Sequence, residues 1–162
     1  MAMGRQLQVM GDERRFYVVA EYVEKIFPDV KYIADVAGGK GYLSRILSRK
    51  NYDCELIELR EKVVKGVKHR KEHFKADMAD YYDLLIGLHP DGATRELAKA
   101  ASIRPVILIP CCNFWDDKKR GLKDLMEAIK DFYRQNSIYY HEHKFNFKGP
   151  MNVGLVSLPD KT

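Results

Sequence analysis

Between Lys31 and Gly41 the chain reads Lys-Tyr-Ile-Ala-Asp-Val-Ala-Gly-Gly-Lys-Gly, a carboxylate and a glycine cluster at the end of a short apolar run. Ile33 and Val36 suit a buried strand, Asp35 ends it, and Gly38, Gly39 and Gly41 permit positive φ and close approach of a ligand to the backbone. Tyr42 to Leu47 then begins a helix whose first N–H groups face the turn, as in loops that cradle nucleotides. Glu58, 23 residues after Asp35, closes a second apolar run, where a carboxylate can hold two ribose hydroxyls. His89 and Asp91 sit in a rigid Pro-Asp-Gly turn as candidate proton acceptors, and Pro110-Cys111-Cys112-Asn113-Phe114 follows another apolar run.

These residues need a scaffold, and hydrophobic periodicity outlines one. Phe16, Val19, Ala20, Val23, Ile26 and Phe27 form one face of a helix over 13–27, with Asp12 as N-cap and Pro28-Asp29 as stop. Nothing in that helix looks chemical; its expected task is to cover a sheet face. Strands are expected at 31–36, 53–59, 73–76, 82–88 and 105–109, with helices at 42–49, 60–67 and 94–101 between them. The continuous apolar run 82–88 fits a strand covered on both faces. The basic run Lys68 to Lys71 reads as a solvated connection. A further helix follows Asp116 or Asp117, with Leu122, Leu125, Met126, Ile129, Phe132 and Tyr133 on one face. Lys118 to Arg120 at its start oppose the helix dipole, which makes an anion contact worth testing. Ser137–Phe145 and Met151–Leu158 complete the chain as an antiparallel hairpin.

The expected architecture is therefore α/β: a Rossmann-like, seven-stranded, mostly parallel sheet with a C-terminal antiparallel hairpin and helices on both faces. One domain is expected over 1–162, with the N-terminal helix at 13–27, a cofactor-binding half at 31–88, and an acceptor-side half with the hairpin at 89–158. In such a sheet the loops at the carboxyl ends of the strands form the site, which puts Thr94, Pro110, Cys111, Cys112, Asn113 and Phe114 on the acceptor side.

The run Asp35-x-Ala37-x-Gly39-x-Gly41 resembles the first motif of class I S-adenosylmethionine-dependent methyltransferases, Asp/Glu-x-Gly-x-Gly-x-Gly, with Ala37 at the first glycine. The resemblance implies S-adenosylmethionine as cofactor, Asp35, Ala37, Gly38, Gly39, Gly41 and Glu58 as its contacts, Asp77 and Met78 at the adenine, and His89 close by. The loops resemble a subgroup with a His-x-x-Gly-x-Thr loop and a Pro-Cys-Cys motif, similar to tRNA 2′-O-methyltransferases of the acceptor stem and uncharacterised relatives. Here they are His89-Pro-Asp91-Gly92-Ala-Thr94 and Pro110-Cys111-Cys112, and Asp91 stands where that subgroup carries cysteine. O- or N-methylation of an RNA is the activity implied, with His89, then Asp91, as the base. Cys111 and Cys112 as covalent nucleophiles are the weaker reading, because the partner motif is missing from the fourth strand.

Two other readings stay open. Gly39-Lys-Gly41-Tyr-Leu-Ser44 matches the NAD-type fingerprint Gly-x-Gly-x-x-Gly except for its final serine, and the same turn serves a catalytically silent S-adenosylmethionine-binding or scaffold protein equally well. A net charge of +5 permits RNA as partner but also describes an ordinary Lys/Glu-rich surface. No inserted substrate domain is visible, so selection falls to the edge loops, the N-terminal residues or a partner subunit. Three cysteines without finger spacing read as reduced thiols, and His141 and His143 lack a third ligand, so no metal is expected. No run reaches the roughly 18 apolar residues of a membrane span. The N-terminus has no signal-peptide core, which makes the cytoplasm the expected compartment.

Overall fold

The computed structural model describes residues 11–159. Seven strands, β1 (Tyr32–Val36), β2 (Asp53–Ile57), β3 (Lys68–Arg70), β4 (Leu84–Leu88), β5 (Val106–Ile109), β6 (Tyr140–Lys144) and β7 (Val153–Ser157), form one sheet ordered β3-β2-β1-β4-β5-β7-β6. The first five run parallel, and β7 inserts antiparallel between β5 and β6. A second dinucleotide half would continue with parallel crossovers instead. The strand order reverses direction between β1 and β4, so the loops after these two strands part and leave a crevice at the carboxyl edge.

Side chains alternate along the strands, and each face has its own core. Ile33, Leu84, Ile86, Ile107 and Ile109 point to helices α1 (Arg14–Ile26) and α2 (Tyr42–Arg49), meeting Val19, Val23, Leu43 and Leu47. Ala34, Val36, Leu85, Val106 and Leu108 point to α3 (Thr94–Ala100) and α4 (Leu122–Gln135), meeting Leu97, Leu125, Ile129 and Tyr133. The expected seven-stranded sheet with helices on both faces is the observed one.

Several boundaries differ from expectation. Ile26 is exposed and Tyr22 is buried, because α1 ends at Ile26 and its inward face lies over Val19, Tyr22 and Val23. Residues 60–67 are not helical: Val64 N–H is drawn to the Lys40 carbonyl at 2.7 Å, and Gly66 takes φ +85°. The third strand is the basic run itself, not 73–76. Lys68 pairs with Asp53 at 2.5 Å and Arg70 with Glu55 at 2.8 Å, so these cations neutralise the neighbouring strand and blunt a sheet edge. Residues Ala76–Tyr81 form a 3-10 helix. Asp116 does not cap α4, whose N-cap is Gly121. Instead Asp116 holds the preceding loop through both oxygens to Arg120, so Lys118–Arg120 stand outside the helix and their supposed clash with its dipole does not arise.

Candidate active site

The glycine turn is shaped by two acids from opposite sides. Asp35 is fully buried beneath it, its Oδ2 accepting the Ser44 N–H at 3.1 Å and the Ser44 hydroxyl at 2.7 Å, which fastens the end of β1 to the first turn of α2. Its Oδ1 is buried without a hydrogen-bond partner, and burial pushes the carboxyl up to about 6. Gly38 rests directly on this carboxylate: a Cβ there would lie 2.3 Å from Oδ1. Glu58, just past β2, accepts the Gly39 N–H at 2.9 Å through Oε1 and the Arg60 N–H at 3.2 Å through Oε2. Ala37 takes φ 51°, a left-handed conformation that costs an alanine about 1–2 kcal/mol and explains why glycine is usual at this place in the motif.

Above the turn lies a cavity of about 660 Å³, within the range of small-molecule sites. Ala37, Gly38, Gly39 and Lys40 line one side, Glu58, Leu59 and Phe74 a second, and Leu88 to Ala93 a third. Asp35 and Gly41 do not reach it. Asp35 acts from below, and Gly41, at φ +88°, brings the backbone close to Leu56 where a Cβ would meet Cδ2 at 3.0 Å.

The loop after β4 brings His89 and Asp91 to the opposite wall, both at positive φ (53° and 47°). Such backbone costs about 1–3 kcal/mol per residue and is held by its surroundings. The His89 N–H donates to the Ile109 carbonyl at 2.9 Å, and its Nε2 faces the Met151 carbonyl at 2.8 Å. A carbonyl only accepts, so Nε2 carries the proton and Nδ1 keeps the lone pair of the neutral ring. Burial lowers the His89 pKa from its ordinary 6.5, and the charge of Arg15 adds to that lowering. Thr94 is buried and caps the same turn, its hydroxyl donating to the Asp91 carbonyl at 2.7 Å.

The second loop departs from expectation. Pro110, Cys111, Cys112, Asn113 and Phe114 are not among the lining residues. Asn113 folds the segment back on itself, its side chain accepting the Trp115 N–H at 3.0 Å and donating to the Asp116 carbonyl at 3.2 Å. Trp115 is buried edge-on against Phe132 in the α3/α4 core, so it is not available to stack a base. Cys111 reaches the site only through Asp91, its Sγ 3.3 Å from Oδ1, and burial plus that carboxylate push the thiol up to about 12. Such a thiol is un-ionised at neutral pH and is not an activated nucleophile.

Asp77 and Met78 are not among the lining residues. Because β3 ends at Arg70, the residues that reach the cavity from this segment are Glu72, His73 and Phe74. Asp77 is exposed on the 3-10 helix, and Met78 packs against the α3/α4 core. The helix that looked unchemical supplies Arg15 and Phe16 to the lining, and an arginine at the start of an amphipathic helix gave no sequence signal. His141 and His143 contact Tyr22, and among the described residues no three His, Cys, Asp or Glu gather to hold a metal. Among the described residues the three cysteines are free thiols, and no helix is long and apolar enough to cross a membrane.

No protein-family profile and no curated protein sequence matches the chain. Solved structures do. The chain is similar to the methyltransferase domain of bacterial CtHen1-C, with 12% identity over 90% of this chain and 97% of that one and a TM-score of 0.61. It is also similar to the sugar N-methyltransferase KedS8 from Streptoalloteichus, with 14% identity over 98% of each chain and a TM-score of 0.57. A third likeness, to DesVI of Streptomyces venezuelae, has 14% identity, 90% coverage of both chains and a TM-score of 0.54. At these identities what is shared is the architecture, and the chain has the Rossmann-like fold of the methyltransferases.

Proposed function

We propose that the chain is an S-adenosylmethionine-dependent methyltransferase acting on an oxygen or nitrogen acceptor, with RNA as the acceptor class. The observation that carries this reading is the Glu58 carboxylate bonded to the Gly39 N–H at the floor of a cavity whose far wall bears His89. The residues suit the cofactor: Gly39 has open space around its α-carbon, the Glu58 carboxylate lines the cavity with oxygens that can accept from ribose hydroxyls, and Ile57, Leu59 and Phe74 offer apolar walls to a planar base. Bound there, S-adenosylmethionine supplies an electrophilic methyl group on a sulfonium.

The protein's own part is to position and to take a proton. The glycine turn positions the donor, and Nδ1 of neutral His89 accepts the proton of the acceptor group. Asp91 lies beside it on the same loop, its carboxylate shared with Cys111. The RNA reading is supported by the net charge of +5, by the mouth residues Lys40 and Arg60, and by Phe114, 49% exposed on the next loop.

Calorimetry with S-adenosylmethionine, its demethylated product and NAD tests the cofactor. Glu58→Ala is expected to weaken nucleoside binding by about 2–4 kcal/mol, the loss of two charge-assisted hydrogen bonds; unchanged affinity would remove Glu58 from the site. Incubation with labelled methyl donor, total RNA and a metabolite extract in parallel tests the acceptor. Label confined to the metabolites would sink the RNA reading, and label in neither fraction would favour the silent binder.

A further inference from the structure

The charge of the chain is unevenly spread. Residues 60–75 hold seven Lys or Arg against two acids, Glu61 and Glu72, a net +5 that equals the charge of the whole chain; the remaining residues carry 21 of each sign and balance. All seven cations are exposed. Blunting the sheet edge accounts for Lys68 and Arg70, which lie on β3 beside Asp53 and Glu55, and Lys71 pairs with Glu61. It does not account for Arg60, Lys62 and Lys65 in the loop before the strand, nor for Lys75 after it, which enter no ion pair among the described residues. With Asp53 and Glu55 counted beside the two acids of the segment, the patch still keeps +3. The segment is also fixed against the site. The Val64 N–H donates to the Lys40 carbonyl of the glycine turn at 2.7 Å, His69 Nε2 donates to the Glu58 carbonyl at 2.7 Å, and the Glu58 N–H donates to the Arg70 carbonyl at 3.1 Å. Val64 and Phe74 are buried, and Arg60 and His73 line the cavity itself. From Arg60, past the carboxyl end of β2, to Lys68 beside Asp53 at its start, the cations span the length of this five-residue strand, roughly 16 Å. A row of cations carried on a fixed scaffold can neutralise successive phosphates of a nucleic-acid backbone with little further ordering.

We propose that residues 60–75 form the docking surface for the RNA acceptor, their cations neutralising phosphates that flank the target nucleotide while that nucleotide enters the cavity. The inference rests on the RNA reading above and deepens it, because it assigns recognition of the acceptor to the β3 edge of this chain. Arg60 and His73 are where the surface meets the cavity, so a backbone held along β3 runs directly to the mouth.

The test titrates fluorescently labelled bulk tRNA into wild type and two variants between about 50 and 200 mM salt. Lys62→Gln, Lys65→Gln and Lys75→Gln combined should weaken binding by roughly 10–100-fold and lower the slope of log affinity against log salt by about 2–3, since each lost phosphate contact removes roughly 0.7–0.9. These side chains are exposed, so the variant should melt with wild type. A matched variant, Lys25→Gln, Lys123→Gln and Lys144→Gln, removes the same charge from exposed lysines of α1, α4 and β6 and should stay within about three-fold of wild type. Equal losses in the two variants, or none in the first, overturn the proposal. So does a wild type that binds no tRNA at the lowest salt. Displacement of tRNA by poly-L-glutamate at equal charge would make an acidic protein the partner and overturn it as well. Incubation with labelled methyl donor separates this inference from the reading it rests on: tRNA held through this surface but left unlabelled sinks the RNA methyltransferase and keeps the surface, whereas RNA labelled equally by both variants keeps the enzyme and sinks the surface.

Discussion

The loops after β1 and β4 face each other across one cavity and are built in opposite ways. In the turn after β1 the left-handed positions fall mainly on glycines, Gly39 and Gly41, and the turn is held by Asp35 and Glu58. In the loop after β4 they fall on His89 and Asp91, and the supports are the Ile109 and Met151 carbonyls, the second from 62 positions away. The first loop makes space, since small residues let a ligand approach the backbone. The second stores strain to aim side chains. Holding a ligand and moving a proton thus place different demands on two loops of the same sheet edge.

The comparison breaks most visibly at His89. His89→Asn keeps a residue that tolerates positive φ and removes the base, so turnover should fall about 10²–10⁴-fold while S-adenosylhomocysteine affinity stays within two-fold. Loss of affinity to the same extent would make His89 a binding residue. In the wild type the lowered pKa predicts a single acidic limb. Above the ordinary 6.5 the ring is neutral in both folded and unfolded chains, so activity and this group's contribution to stability are both present; both are lost as pH falls through the lower folded value.

The glycine turn should break next. Gly38→Val places a Cβ against the Asp35 carboxylate, and about 3 kcal/mol of stability and most nucleoside binding should go with it, as thermal melts and calorimetry would show. Gly92→Ala in the facing loop meets nothing within 4 Å and should melt within about 0.5 kcal/mol of wild type. Equal effects would erase the distinction between the loops.

Asp35 gives a comparable effect through pH. Its folded pKa, about 6 against 3.8, means that the stability associated with the neutral carboxyl is fully present below 3.8 and lost as pH rises through about 6. That difference amounts to roughly 3 kcal/mol. Asp35→Asn, which can still accept the Ser44 hydrogen bonds, should flatten this part of the denaturation profile between pH 4 and 7; an unchanged profile would mean that Asp35 is solvated in a way its burial does not suggest. The smallest effect concerns the thiols. Exposed Cys112 should alkylate well before Cys111, and Cys111→Ser should change turnover by less than about three-fold, read by mass spectrometry and initial rates.

Local chemistry made the parallel units, the hairpin and the glycine turn legible from the sequence alone. Apolar runs of strand length, helical offsets such as Leu122, Leu125, Met126 and Ile129, and glycines where φ turns positive are short-range facts that a chain carries in its order of residues. The position of Glu58 just past β2 was legible for the same reason, lying at a fixed distance along a βαβ unit. Three things were decided only by the packed structure. The basic run Lys68–Arg70 became a strand because β2 offered it a ladder and two carboxylates, whereas its own composition suggested a connection. The Pro110–Phe114 segment left the cavity because Asn113 tied it back and the core took Trp115. Arg15 entered the cavity because Phe16 leans on Tyr42, which turns the start of α1 toward the glycine turn. The carboxylates of β2 lie 15 positions from Lys68 and Arg70, and Trp115 and Arg15 are placed by contacts with other helices, Trp115 with Phe132 and Phe16 with Tyr42; neither propensity nor periodicity, which compare near neighbours, holds that information.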